Sequence, residues 1–505
     1  MQTLTVADGT TPFELLPANG TVGFTVTPAT GSGSVNVSSP QTLATADLTL
    51  LADQTLVSVG VINDTYVYRT IPPLTAPDGL NVVAPAAPPG SSLYRLFRRN
   101  TQAPFQAAWF VDPVAGDDRN AGTALAPLKS LNEWAIRFRD ADVVTTNVTV
   151  TVLAGTVSEF APLNIHIGTN RLVTIQGAVS STAPRPISAV TATNPATNTR
   201  GSITDPGTAV PFFNFPPSRL RLTSGTQSGA ITYCDYNRST TTVAAVTGWT
   251  RTAASLAPPG NAGVAGVNPA INDNYVGDTL LTTLQNRIDV RVSGAGRLIF
   301  KDLILTIDTT QVQQFWRVSG DSQNSYSSVM FVGCQFSASG GVPVGFIGSN
   351  CRVIQSTADA IFAVDARSAV SVGGCTFASG VVVREGFLSL DSFNYIIGGI
   401  VQRTNGFIEL IQGQIEAATA GGGTAWEVNP GCVASFRDAN CRLWGPAAGY
   451  AIGVRTFTMA AFQYITLPTL TGSSTADAQI AGTNKTWATL PFPNPINLSV
   501  AATLP

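Results

Sequence analysis

GCQFSASGGVPVGF, residues 333–346, is answered by GCTFASGVVVREGF, residues 374–387. Laid over each other without a gap, the two share a leading Gly-Cys, Phe336 with Phe377, Val342 with Val383, and a closing Gly-Phe. A further step, half as long, gives NYIIGGIVQRTNGF, residues 394–407, which sets Val401 under Val381 and Gly406-Phe407 under Gly386-Phe387. The longer step therefore reads as two turns of about 20 residues each, with a less regular turn around Cys351 between them, and periods of this size mark solenoids. The apolar runs RLIFKDLILTID and FIELIQGQIEA are short, alternating and broken by turns, a strand pattern and not a helical one. A repeat of this length holding several short strands predicts an all-β chain wound as a parallel β-helix, in which like side chains stack into interior columns. Phe336, Phe346, Phe377, Phe387 and Phe407 are expected in those columns. Gly333, Gly374, Gly386 and Gly406 are expected at corners, where a positive φ or a close backbone approach is needed.

Composition agrees and narrows the function. Of 505 residues, 44% are hydrophobic, ample for a core, yet only 11% are charged, against a typical ~25%. The surface must be polar without being ionic. The net charge of -2 and a single basic cluster, Arg95, Arg98 and Arg99, do not supply the cations that nucleic-acid binding needs. No stretch approaches a membrane span, and the first residues, MQTLTVADGTTPFELL, do not read as a secretion signal. Six cysteines are too few for a disulfide framework at this length, and with one histidine, His166, and no CxxC spacing, neither a metal nor a cofactor is expected. Five of the cysteines sit beside Gly or Asn, and the reading is a small side chain buried next to a turn. Cys234 has no such context.

Upstream, WFVDPVAGDDRNAGTALAPLKSLNEWAIRFRDAD, residues 109–142, opens with a strand and a Gly/Asp-rich loop. Ser130 and Glu133 form a capping-box pattern. A short helix near 130–142 follows, with Leu131, Trp134, Ala135 and Phe138 on one face, placed to close the first coil. This segment, Phe110-Val-Asp-Pro through Ser130-Leu131, resembles the leading segment of pectate-lyase-like right-handed β-helices, above all those of bacteriophage tailspikes. The resemblance implies a right-handed winding and a homotrimeric virion spike or tail fibre on the phage exterior, made in the host cytoplasm, that binds and in some members cleaves bacterial surface polysaccharide. The family has no single catalytic motif, so no active-site residue carries over.

The chain divides accordingly. Residues 1–72 read as a small β-domain, which the resemblance makes the attachment to other virion proteins. Residues 73–104 are a Pro-rich linker. Residues 105–450 hold the β-helix, interrupted by inserted loops over 178–290, where the period is lost. Residues 451–505 are a β-rich terminal segment expected to make trimer contacts. The insertion carries Tyr233, Tyr236, Trp249 and Tyr275, which suit stacking on sugar rings or packing inside the insertion itself.

Glycoside cleavage needs two carboxylates. Glu409 falls in the place of Ser389 one turn on, and Asp391 lies two residues beyond Ser389, so Glu409 and Asp391 are expected on one face, with Glu385 nearby. Arg384 and Arg403 are the basic residues a lyase would use. Three readings stay open: host adhesion and receptor binding by a glycan-binding spike, a polysaccharide depolymerase (glycoside hydrolase or lyase), and a structural head-fibre, collar or baseplate component with no ligand of its own. The small stock of coil carboxylates favours the first over the second.

Overall fold

The computed structural model describes residues 106–138, 147–158, 163–191, 270–285, 289–306, 329–338, 343–391 and 394–410, together with separate strands and short turns from residue 3 to residue 485. The chain forms two compact units, residues 1–142 and 143–505.

In the first unit, Phe13–Leu15, Val35–Val37, Leu56–Val59, Asp64–Arg69, Arg95–Arg98 and Val82–Val83 make a mixed six-stranded sheet in that order. Val57, Val59, Tyr66 and Tyr68 are buried, and the Tyr66 hydroxyl donates to Leu80 O at 2.5 Å. Two strands of this sheet, Val82–Val83 and Arg95–Arg98, fall in the stretch read as a linker. The same unit holds the ordered segment that begins at Ala108–Val111. Asp112 Oδ1 accepts from the N–H groups of Val114 and Ala115. Asp118 accepts from the N–H groups of Lys129 and Ser130 and from the Ser130 hydroxyl. The helix Leu131–Phe138 follows. Ser130 Oγ caps it by accepting from Glu133 N at 3.1 Å. Glu133 pairs with Arg137 one turn on, and Arg137 donates to the carbonyls of Asn120 and Asp118. Leu131, Trp134, Ala135 and Phe138 are all buried, with Trp134 stacked on Phe138.

Among the described residues the second unit is a parallel β-helix whose strands lie in three sheets and make ten coils. One coil illustrates the rest: Asn350–Ile354 lies in the first sheet, Thr357–Ala358 in the second and Phe362–Asp365 in the third. Each strand pairs in parallel with the matching strand of the next coil, at one common spacing for Val353↔Val372, Thr357↔Thr376 and Phe362↔Val381. Coiling continues past residue 450, through Ala461–Tyr464, Thr469–Thr471 and Ala476–Ile480.

The longer step of the sequence repeat is indeed two turns: Phe336 pairs with Ala358, and Ala358 with Phe377. Beyond that the gapless overlay fails. The coil after Cys334 carries extra residues before its third strand, so Phe346 is in register with Val364 and then Val383, not with Phe387. Val401 likewise pairs with Val382. Phe346 is buried inside the third sheet, whereas Phe387 and Phe407 lie on the first sheet and alternate with buried Leu388, Leu390, Ile408 and Leu410. Those two phenylalanines are half-buried on the outer face, stacked at 5.1 Å. The expectation of an interior column thus holds for Phe336, Phe346 and Phe377 and is corrected for Phe387 and Phe407.

All three sheets send aromatics inward. Phe331 from the first sheet, Phe336 and Phe377 from the second, and Trp316, Phe346 and Phe362 from the third form one connected set, with ring centroids 4.8–6.0 Å apart. The corners close around this core by a repeated device. Between the first and second sheets, Asp302, Gly333, Gln355 and Gly374 take φ of 56°, 63°, 51° and 65°. After the last three come Cys334, Ser356 and Cys375, all buried. Cys334 N donates to Ser356 Oγ and Cys375 N to Asn394 Oδ1, each one coil away. Cys375 Sγ contacts Val353 O at 3.4 Å. Between the third and first sheets, Ser349 and Ser368 do the same work, with Ser349 N donating to Ser368 Oγ and Ser368 Oγ donating to Phe346 O. Gly406 marks a tight approach there, since a Cβ would lie 2.8 Å from Val383 O.

The 178–290 stretch is inserted at one corner, between Leu172–Gly177 of the first sheet and Thr282–Gln285 of the second. It is not loop throughout. It contains an antiparallel five-stranded sheet, whose central strand is Asn274–Leu280, and an antiparallel three-stranded sheet. The chain is back in the coils at Thr282, so the insertion ends earlier than 290. Arg219 fastens it to the helix: its Nη1 lies 2.7 Å from Asp302 Oδ1 and donates to Gly333 O. Asp278 holds Arg221 and the Ser181 hydroxyl within the insertion.

Two measurements check this architecture. Phe346→Ala removes a ring from the centre of the aromatic set and is expected to lower stability by about 3–5 kcal/mol, whereas Gly374→Ala, at a positive φ, is expected to cost about 1–2 kcal/mol; denaturant midpoints report both. Burial pushes the thiols of Cys334 and Cys375 up to about 12 and raises those of Cys351 and Cys432 as well. Such thiols stay neutral in the folded chain and ionise first in the unfolded one. Their stabilising contribution is complete below the ordinary thiol pKa of ~8.5 and is lost as pH rises toward 12. A maleimide at mildly alkaline pH is expected to leave all four unlabelled in the native protein and to label them in guanidinium, as peptide mass mapping will show.

Candidate functional site

The outer face of the first sheet carries a polar column. Arg352, Ser371, Ser389 and Glu409 succeed one another in register, followed by Ser435 and Gln463. Alternation puts the first four outside, because their neighbours Val353, Val372, Leu388, Leu390, Ile408 and Leu410 fill the core. Consecutive members are one rung apart, ~4.8 Å. Earlier on the same face the positions before Arg352 are the apolar Ile299 and Met330, which with Val332 and Ile354 of the neighbouring column form a buried cluster against Leu172.

Asp391, just past Phe387–Leu390, folds onto this column. Its Oδ2 accepts from Ser371 Oγ at 2.5 Å and its Oδ1 from Ser389 Oγ at 2.7 Å. Arg352 Nη2 stands 3.5 Å from Oδ2, and among the described residues Arg352 Nε has no acceptor. Glu409 follows Ser389 in register, and little of it is exposed. The two carboxylates are therefore brought to one face. Burial, and after it the Arg352 charge, draws the Arg297 guanidinium below its usual value.

Glu385 is not brought to that face. It is exposed at the corner before the first sheet, with φ of 50°. Its N–H donates to Thr404 O and its carbonyl accepts from Arg367 N, so it is one rung of a corner column. Tyr275 is corrected as a ligand candidate. It is fully buried, paired with Leu222 and Arg185 in the insertion's sheet, and packs within that sheet's own core. Tyr233 ends the strand Ile231–Tyr233 opposite Arg219; its side chain, and all of Tyr236 and Trp249, lie outside the described residues. His166 is exposed, with Nδ1 3.2 Å from Ser293 Oγ. Among the described residues no group of three His, Cys, Asp or Glu is placed to hold a metal ion.

Sequence spacing found Glu409 over Ser389 and missed Ser371 and Arg352. Both lie behind Ser389 by steps shorter than the one that carries Gly386 to Gly406, so a single fixed period passes over them.

No family model and no curated protein matches this chain. Among solved structures it is similar to that of XylC in complex with xylose, at 9% identity, over 72% of each chain and with a TM-score of 0.24. A likeness this remote carries no argument about the site.

Asp391→Ala strips two serine hydroxyls of their acceptor and leaves Arg352 without its counter-charge. The expected loss is about 1–3 kcal/mol, read as a lower denaturant midpoint, with Asp391→Asn falling between the alanine variant and the native chain.

Proposed function

We propose that this chain is a bacteriophage virion spike or fibre, acting as a homotrimer, that binds a bacterial surface glycan. The observation that carries the reading is the succession, in one chain, of the Asp-bound Trp109–Phe138 segment with its short helix and a ten-coil parallel β-helix. Both were expected from the resemblance to tailspikes. A parallel β-helix repeats its outer groups at ~4.8 Å along the axis, a regular surface for a ligand that is itself a repeating polymer. Hydroxyl and amide groups dominate that surface, since only 11% of the residues are charged.

Binding is favoured over cleavage by Asp391. Both of its oxygens already accept serine hydroxyls, whereas a general acid or base must reach the substrate's proton.

The test is a panel of purified capsular and lipopolysaccharide glycans. The labelled protein is expected to bind at least one, and a zymogram on that glycan is expected to show no clearing. Clearing that Glu409→Gln abolishes would move the assignment to a depolymerase. Absence of binding across the panel, or of the protein from purified particles, would overturn the reading.

A further inference from the structure

On the third sheet two arginines face each other across neighbouring coils, and one carboxylate, Asp365, is paired with one of them. Charged side chains are scarce in this protein, yet Arg384 and Arg403 are direct register partners on neighbouring coils. Val383 and Gln402, the residues before them, are buried, so both arginines project outward. Like charges directly opposite on adjacent strands repel and destabilise a sheet. Arg403 is exposed. Arg384 is 40% exposed and pairs loosely with Asp365, whose carboxylate stands 3.9 Å from Nη1; among the described residues its Nε has no acceptor. Arg367 is also exposed, at the adjoining corner one coil earlier. Glu385, also exposed, adds a second carboxylate in that same corner column. Arg367, Arg384 and Arg403 thus outnumber Asp365 and Glu385 along a short stripe parallel to the helix axis, which carries a net positive charge on an otherwise weakly charged surface.

We infer that Arg384 and Arg403 form a binding site for the carboxylates of an acidic polysaccharide that runs along the axis. A guanidinium presents a planar fork that suits a carboxylate. Two forks at rung spacing suit a chain with repeated carboxylates, and its charge would relieve the repulsion between them. Nucleic acid is the poorer fit, because it carries a phosphate at every nucleotide and needs many more cations than this one stripe supplies, whereas a polysaccharide can space its carboxylates between neutral sugars. The inference rests on the glycan-binding reading above and names the chemical class of ligand within it.

Affinity electrophoresis of the full-length protein tests it, with gels that contain polygalacturonate, hyaluronate, neutral dextran or single-stranded DNA. Retardation is expected in at least one acidic glycan gel and not in dextran or DNA. The double variant Arg384→Gln/Arg403→Gln is expected to weaken that association at least tenfold. Arg317→Gln, an exposed arginine on the same sheet in register with Asp289, is expected to leave it unchanged. Circular dichroism melts of the double variant are expected to be as stable as the native chain or more so, since a repulsion has been removed. Equal retardation by DNA, or equal loss in the Arg317 variant, would show general anion attraction and overturn the site. Binding that survives the double variant, or binding of neutral glycans alone, would overturn the site and leave the glycan reading standing. No retardation in either acidic gel would overturn it also, and the glycan panel above then decides the broader reading by itself.

Discussion

The constraint on which this fold depends lies at its corners. A coil of about 20 residues must turn sharply three times, and at each turn backbone groups face an interior without water. A buried amide or carbonyl left unpaired there costs about 1–3 kcal/mol, and the cost would recur at every coil. Cys334, Ser356, Cys375 and Asn394 meet it at one corner, and Ser349 and Ser368 at another, by lending a small side chain to the backbone of the neighbouring coil. Each such bond joins two coils, so the same contact that satisfies a turn also sets the register of the stack. The aromatic set inside can then be continuous, because its rings arrive from three sheets at fixed heights.

This explains the mixture of residues in the opening repeats. A cysteine beside a glycine there is placed for packing and for bonding to the neighbouring coil. It is a compact group that fits where the chain leaves the left-handed conformation, and its burial keeps the thiol neutral. Serine and asparagine do the same work at Ser356 and Asn394, so the corner tolerates any short side chain that reaches a backbone partner. The positive φ before it is met by Gly333 and Gly374 but also by Asp302 and Gln355.

That tolerance limits what could be read from the sequence. The fold was legible because Gly-Cys-x-Phe recurs at Cys334 and Cys375, where corner and core position coincide. The coil between them was hidden, since Gln355-Ser356 and Ala358 fill the same places with different residues. The overlay of Phe346 on Phe387 failed for a related reason. Extra residues can be accommodated in a surface turn without disturbing the coil, so a phase that holds before the turn need not hold after it. The corner at Thr404-Asn405 shows the effect in miniature. It is longer than the corner at Glu385, so the step from Arg384 to its partner Arg403, before the corner, is shorter than the step from Ser389 to Glu409 after it. In the insertion, alternation was too brief to reveal that Tyr275 faces inward, because short antiparallel strands are set by their partners more than by their own pattern.

The outer columns obey different rules from the inner ones, and function must be sought in that difference. An inner position is bound by shape and is filled by whatever packs. An outer position is bound only by its two register neighbours, so a costly pairing there has no packing reason to exist. Asp391 answers its neighbours: it draws Ser371 and Ser389 together and offsets Arg352, as a structural carboxylate does. Arg384 over Arg403 does the opposite, since stacking two cations one rung apart weakens the solenoid that carries them. A ligand of opposite charge removes that penalty, which is why the arginine pair, and not the carboxylate pair, is the more informative feature of this surface.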